Sequence, residues 1–223
     1  MKLLSLEKVQ LGYNNNTVIK NLSFDVHERD FICIVGPNGS GKTTLIRGIL
    51  GLIPLMSGKI HFNLDKTSIG YMPQETAVDP NFPASVLEIV LSGALNNRCN
   101  FYNNEIRERA EKTLKLLGIK NLENVSFSEL SGGQRQKVLL SRALMATKKL
   151  LILDEPSNNL DQKSRHDLYK VVQKLNREQN IAVLMITHDL DHENLIGDKI
   201  LSLAPGDYFF GPVEDYVRKV HHE

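Results

Sequence analysis

Charge of one sign, a cysteine framework and long apolar runs are all missing from this sequence, and each absence removes a class of function. Lys and Arg total 27 against 26 Asp and Glu, a formal net charge of +1, so no single-sign field draws nucleic acid or anionic lipid to the surface without specificity. A nucleic-acid partner is not expected. Two cysteines cannot build a disulfide scaffold. Cys33 lies inside the apolar run "FICIVG" and reads as small core filler, while Cys99 sits in a polar stretch. A reducing cytoplasm is the simplest setting. No run reaches the roughly 18 apolar residues of a membrane span. The first residues, "MKLLSLEKVQLGY", carry charges at Lys2, Glu7 and Lys8, which fits neither a signal peptide nor a span. Work at a membrane would therefore need another protein to hold this one there. Internal repeats are absent, and the only biased segment is "NNRCNFYNN", expected to be a mobile surface loop.

What is present suffices for a packed core: 223 residues, 41% of them hydrophobic. Residues 3–11 and 18–26 alternate apolar and polar side chains around "GYNNNT", which predicts antiparallel strands. "FICIV" is continuously apolar over a strand's length, as a strand buried on both faces requires. "SVLEIVLSGAL", "NEIRERAEKTLKLLG" and "SGGQRQKVLLSRALM" have helical spacing, so a helical insert is expected over about 75–148. Strand-like runs return as "KLLILDEP", "IAVLMITH", "DKILSLA" and "DYFFG", with an amphipathic helix through Leu168, Val171, Val172 and Leu175 between the first two. Alternating strands and helices predict an α/β fold with a mainly parallel core sheet.

Chemistry enters at "GPNGSGKTT", where Gly36, Pro37, Asn38, Gly39, Ser40, Gly41, Lys42, Thr43 and Thr44 match a phosphate-binding loop. Glycines let backbone amides wrap phosphate oxygens, Lys42 supplies a point charge, and the Thr43 hydroxyl suits Mg²⁺. The following helix directs its positive end at the anion. "LLILDE" ends an apolar strand on Asp154 and Glu155. Alone, the pair would be a solvated strand end; beside a phosphate loop, Asp154 suits Mg²⁺ and Glu155 suits an attacking water. "LSGGQ" then puts Ser131 at a helix N-cap, a second place where free amides could meet an anion. Alone, it would be a cap and nothing more.

The order of these elements resembles the ATP-binding subunits of ABC transporters over nearly the whole chain. Seven features carry it: Tyr13, "GPNGSGKT", Gln74 in "YMPQ", "LSGGQ", "LLILDE", "NNLD" and His188 in "MITHD". The resemblance implies one ABC ATP-binding domain over 1–223, a P-loop NTPase cassette. Its core would span about 1–74 and 149–223, with N-terminal antiparallel strands and a helical subdomain over about 75–148. It implies that Tyr13 stacks on adenine, that Lys42 and Thr43 serve phosphate and Mg²⁺, and that Gln74 serves Mg²⁺ and the attacking water. Asp154 becomes the Mg²⁺ carboxylate, Glu155 the general base and His188 the γ-phosphate contact. Two copies would stack head to tail as a homodimer, Ser131, Gly132, Gly133 and Gln134 of one closing on the ATP of the other, with Asp161 in the segment joining the sites. "SNNLD" departs from many members, which carry a small apolar residue in place of one Asn.

The same resemblance implies multi-span permease subunits, an extracytoplasmic substrate-binding protein and a position on the cytoplasmic face of the membrane. "FPASVLEIVLSG" and "YFFGPVEDY" look like the zinc and manganese import subfamily, though both could merely build core. Iron-chelate and cobalamin importers have similar ATPases, and soluble relatives act on DNA or ribosomes. "HDLDHE" spaces His188 and His192 four apart, but His188 closes a strand-like run, so no metal site is expected there.

Overall fold

The computed structural model describes residues 1–14, 16–74, 83–94, 103–158, 160–187, 197–204 and 206–221. It opens with β1 (Lys2–Tyr13) and β2 (Asn16–His27), paired antiparallel from Lys2 opposite His27 to Tyr13 opposite Asn16. The reversal is tighter than "GYNNNT" suggests. Gly12, Tyr13, Asn16 and Thr17 all join the ladder, and Asn14 adopts the left-handed backbone (φ 47°) that a short turn demands. Next come β3 (Phe31–Val35), α1 (Lys42–Ile49), β4 (Ser57–Phe62) and β5 (Ile69–Met72). The helices α2 (Val86–Ser92), α3 (Asn104–Leu116) and α4 (Gly132–Ala146) follow. The chain then runs through β6 (Leu150–Asp154), α5 (Gln162–Gln179), β7 (Ala182–Ile186), β8 (Lys199–Ala204), β9 (Asp207–Pro212) and α6 (Val213–His221).

Two sheets result. One is antiparallel in the order β2-β1-β4; the other runs β5-β6-β7-β3-β8-β9, with every described pairing parallel except β8 with β9. The expected mainly parallel core is therefore present. In its central strands every residue is buried, and alternate side chains feed two different cores. Phe31, Cys33 and Val35 join Leu151, Leu153, Val183 and Met185 on the face covered by α2, α4 and α5. Ile32 and Ile34 join Leu150, Ile152 and Leu184 on the face covered by α1 and the antiparallel sheet. At about 1.5–3 kcal/mol per fully buried large aliphatic side chain, this double burial holds the strand ends that carry the site. Cys33 is core filler as expected, its thiol pushed up to about 12 by burial.

The C-terminal turn of α4 presses so closely on β5 that a Cβ on Gly70 would stand 1.8 Å from Thr147 Oγ1 and 2.4 Å from the Ala143 carbonyl. That is why β5 contains a glycine and lacks a clean strand pattern. The exposed edge strand β4 escapes the sequence pattern for the opposite reason, since only Ile60 and Phe62 of its six residues are partly buried apolar groups. α2 and α3 start where capping chemistry places them. Ser85 and Glu88 form a reciprocal capping box, and Asn103 accepts from the Ile106 amide at 2.9 Å. Residues 96–102 of the Asn-rich stretch, Cys99 among them, lie outside the described residues.

Candidate functional site

The C-terminal ends of β3, β5 and β6 lie on one edge of the parallel sheet, where α/β proteins place their ligands. β3 runs straight into the glycine loop. Gly36 has φ 147°, and a Cβ there would meet the Leu203 carbonyl oxygen of β8 at 2.3 Å, so only glycine lets the loop fold back over the sheet. Pro37, Asn38 and Gly39 form an exposed rim, while Ser40 is buried with its hydroxyl unpartnered. Gly41 caps α1 in a left-handed conformation with no side chain covering the helix end. The leading amides of α1 therefore remain available to an anion. The Lys42 ammonium bends over the loop and donates to the Gly36 and Pro37 carbonyls at 2.8 and 3.0 Å. Burial pulls its pKa down, and the negative charges of Glu155 and Asp154 push it back up.

Asp154, the last residue of β6, is 1% exposed. Neither of its oxygens has a hydrogen-bond partner. Burial raises its pKa to about 6; the Thr43 hydroxyl, close by but outside hydrogen-bond geometry, and the Arg47 and Lys42 charges pull the other way, while Glu155 adds to the rise. A lone buried carboxylate is a cost unless a cation compensates it. Asp154→Asn is accordingly expected to raise the melting temperature of the nucleotide-free protein at pH 8. The folded-state value lies above the ordinary 3.8, so ionised Asp154 weakens the fold above pH 6, and the gain from asparagine should shrink as pH falls through 6. Melting curves at pH 8 and pH 5 check this; an equal shift at both would refute it.

Glu155 follows in a left-handed conformation, φ 51°, unusual outside glycine and typical of functional turns. Its amide donates to the Ile186 carbonyl of β7 at 3.2 Å. Its Oε2 accepts from Gln74 Nε2 at 2.7 Å and from Asn158 Nδ2. The structure thus brings Lys42, Thr43, Asp154, Glu155 and Gln74 together at one sheet edge. Tyr13 stands 43% exposed at the end of β1, its hydroxyl facing the Arg47 guanidinium of α1 at 3.5 Å; that contact lowers its pKa. Arg47 was not legible as a site residue because its position on α1 alone does not say what it faces.

The second seat is built differently. Ser131 is the N-cap of α4, but Gln134 closes a capping box, its amide on Ser131 Oγ at 3.4 Å and its Oε1 on the Ser131 amide at 2.9 Å. The freely outward-facing amides expected there are thus partly engaged within the turn. A Cβ on Gly132 would meet nothing within 4 Å, whereas one on Gly133 would touch Leu160 Cδ2 at 3.3 Å. Among the described residues no hydrogen bond joins this turn to the phosphate loop. Asp161 is the N-cap of α5, accepting from the Ser164 amide at 2.9 Å and its hydroxyl at 2.8 Å. An Asp just before a helical pattern was a readable capping signal. His188 and His192 lie outside the described residues.

A glycine loop between a buried parallel strand and an uncapped helix, with a lone buried carboxylate and a second acid beside it, defines a phosphate-loop nucleotide-binding protein. The profile of the ABC transporter family matches residues 19–158. A metal transport system ATP-binding protein of Chlamydia muridarum is 41% identical over 199 residues, covering 86% of this chain and 84% of that protein. The high-affinity zinc uptake system ATP-binding protein of Bacillus subtilis is 34% identical over 215 residues, 93% of each chain. Among solved structures, a chain of an inward-facing ABC transporter assigned to the metal-chelate type superposes with a TM-score of 0.86 at 32% identity, over 96% of this chain and 85% of that one. A dimeric bacterial ABC transporter cassette gives 0.80 at 27% identity, over 93% and 98%. This chain belongs to the ABC transporter family, as an ATP-binding subunit that hydrolyses ATP. Among the described residues no helix is long and apolar enough to cross a membrane.

Proposed function

We propose that this chain is the ATPase of a divalent-metal importer, with zinc or manganese as cargo, working as an ATP-bridged homodimer at the cytoplasmic face of the membrane. The observation that carries the cargo is its likeness to the zinc uptake protein across 93% of both chains. A metal-chelate cargo is the second reading, favoured by the transporter of that type at 32% identity. In the first reading the helices of 75–148 form the subdomain facing a permease, and a substrate-binding protein delivers the cargo outside.

At the nucleotide, Lys42 and the uncapped amides of α1 bind phosphate, and Tyr13 stacks on the base. Asp154, with two unpartnered buried oxygens, and the nearby Thr43 hydroxyl fit a small hard cation that otherwise keeps its water and phosphate ligands, and Gln74 can reach the same place. Mg²⁺ there would neutralise phosphate charge. Glu155 takes a proton from the attacking water, and His188 contacts the γ-phosphate. Ser131, Gly132, Gly133 and Gln134 close on the partner's ATP, where Gly132 leaves open space for it. ATP then joins two half-sites, and hydrolysis parts them.

Ser131→Arg tests both halves. It puts a bulky cation where the partner's phosphate must approach, at a cost of about 1 kcal/mol for the lost cap. The variant should still bind ATP, stay monomeric in ATP on a sizing column, and fail to restore zinc accumulation to cells lacking this protein. Dimerisation of the variant would refute the shared site. Failure of the wild type to restore zinc or manganese uptake would refute the cargo.

A further inference from the structure

Glu155 does not sit at the site by its backbone alone. Two side-chain amides converge on one carboxylate oxygen, Oε2: Gln74 from the end of β5, and Asn158 from three residues further along. Resting on the reading of Glu155 as the base, we infer that Asn158 is its positioning residue, holding the carboxylate aimed at the attacking water when Gln74 leaves to meet the nucleotide.

The two amides differ in what anchors them. Gln74 is exposed and follows a four-residue edge strand, β5, so its side chain is the more easily exchanged contact. Asn158 belongs to a turn locked on several sides. Its own amide donates to the Glu155 carbonyl at 3.2 Å, and the Leu160 amide donates to the Ser157 carbonyl at 3.2 Å. The neighbouring Ser157 hydroxyl accepts from the buried Tyr169 hydroxyl of α5 at 2.9 Å. Asp161 then caps α5 immediately beyond. The Asn158 side chain is thus a donor on a fixed platform three residues from its acceptor. A carboxylate can only accept, so it is the Nδ2 end of the amide that must face it. Hydrogen bonds to an ionised group are the strong kind, about twice a neutral one, which suits a contact that must hold after Gln74 has left.

An alanine at 158 could not donate, and Glu155 would then depend on Gln74 or on other groups for its aim.

The test is a double-mutant cycle on phosphate release by the whole protein with Mg²⁺ and ATP. Asn158→Ala should lower kcat about tenfold, the loss of one charged hydrogen bond, with KM for ATP and the melting temperature unchanged. Asn158→Asp keeps the shape but sets a second negative charge against Glu155, so it should lose more than the alanine variant. A role in filling space would give the reverse order. In a Glu155→Gln background, Asn158→Ala should cost nothing further, because its effect passes through Glu155. Wild-type kcat in Asn158→Ala, a milder loss in Asn158→Asp, or full additivity in the double variant would each overturn the inference. Normal turnover in Glu155→Gln alone would instead remove the base, a separate failure. If the alanine variant melts early, the same-shaped Asn158→Asp and its double with Glu155→Gln carry the cycle.

Discussion

Glu155→Gln is expected to bind ATP with near wild-type affinity, to lose hydrolysis by about 10²- to 10⁴-fold, and to accumulate as an ATP-bound dimer. The magnitude is that of a general base removed from a positioned site. Glutamine keeps the length and an oxygen that can still accept from Gln74 and Asn158, so the turn at 155–158 should survive. What disappears is the capacity to take a proton. Because the nucleotide is no longer consumed, the bridge between two half-sites has no exit, and the dimer becomes the resting state in ATP. Phosphate release, nucleotide binding and a sizing column with ATP read the three outcomes separately. Ordinary turnover in this variant would rule out Glu155 as base, whatever its neighbours do.

Lys42→Ala should act earlier, on binding itself. Its ammonium is buried and makes two charged hydrogen bonds to the loop carbonyls of Gly36 and Pro37. Phosphate oxygens would take over those donors when nucleotide enters. Each charged hydrogen bond contributes about 1.5–3 kcal/mol, so losing two of them should weaken ATP binding by roughly 10² or more. The empty protein also suffers, because two loop carbonyls lose their donor. A titration with a fluorescent ATP analogue checks the binding constant, and unchanged affinity would refute the phosphate-loop assignment. The two variants separate cleanly: one leaves binding and removes chemistry, the other removes binding.

The helices and the central strands were readable because their signals are local. "FICIV" and "LLILD" are apolar throughout since both faces of each strand are covered, and the alternate membership of their side chains in two cores confirms it. β4 and β5 were not readable. One is half solvated, and the other carries Gly70, dictated by a helix that arrives there from 73 to 77 residues later in the chain. The site divides in the same way. Gly36 to Thr44 are adjacent in sequence, so their joint chemistry shows in any printed copy. Asn158 and Arg47 gave no such sign, because what matters about them is the group they face. The capping box at Ser131 was half visible: the serine read as a cap, but the Gln134 side chain was not foreseen as closing the turn on itself.

By itself, then, the sequence determined the order of motifs, the α/β alternation and the residues able to bind phosphate, since backbone freedom, charge and burial pattern are properties of short neighbouring stretches. Only the tertiary structure decided that Asp154 is a lone buried carboxylate, that Gln74 and Asn158 meet on one oxygen of Glu155, and that among the described residues no hydrogen bond joins the Ser131 turn to the phosphate loop of its own chain. Those facts depend on which distant segments pack together, and desolvation and hydrogen-bond geometry exist only once they have.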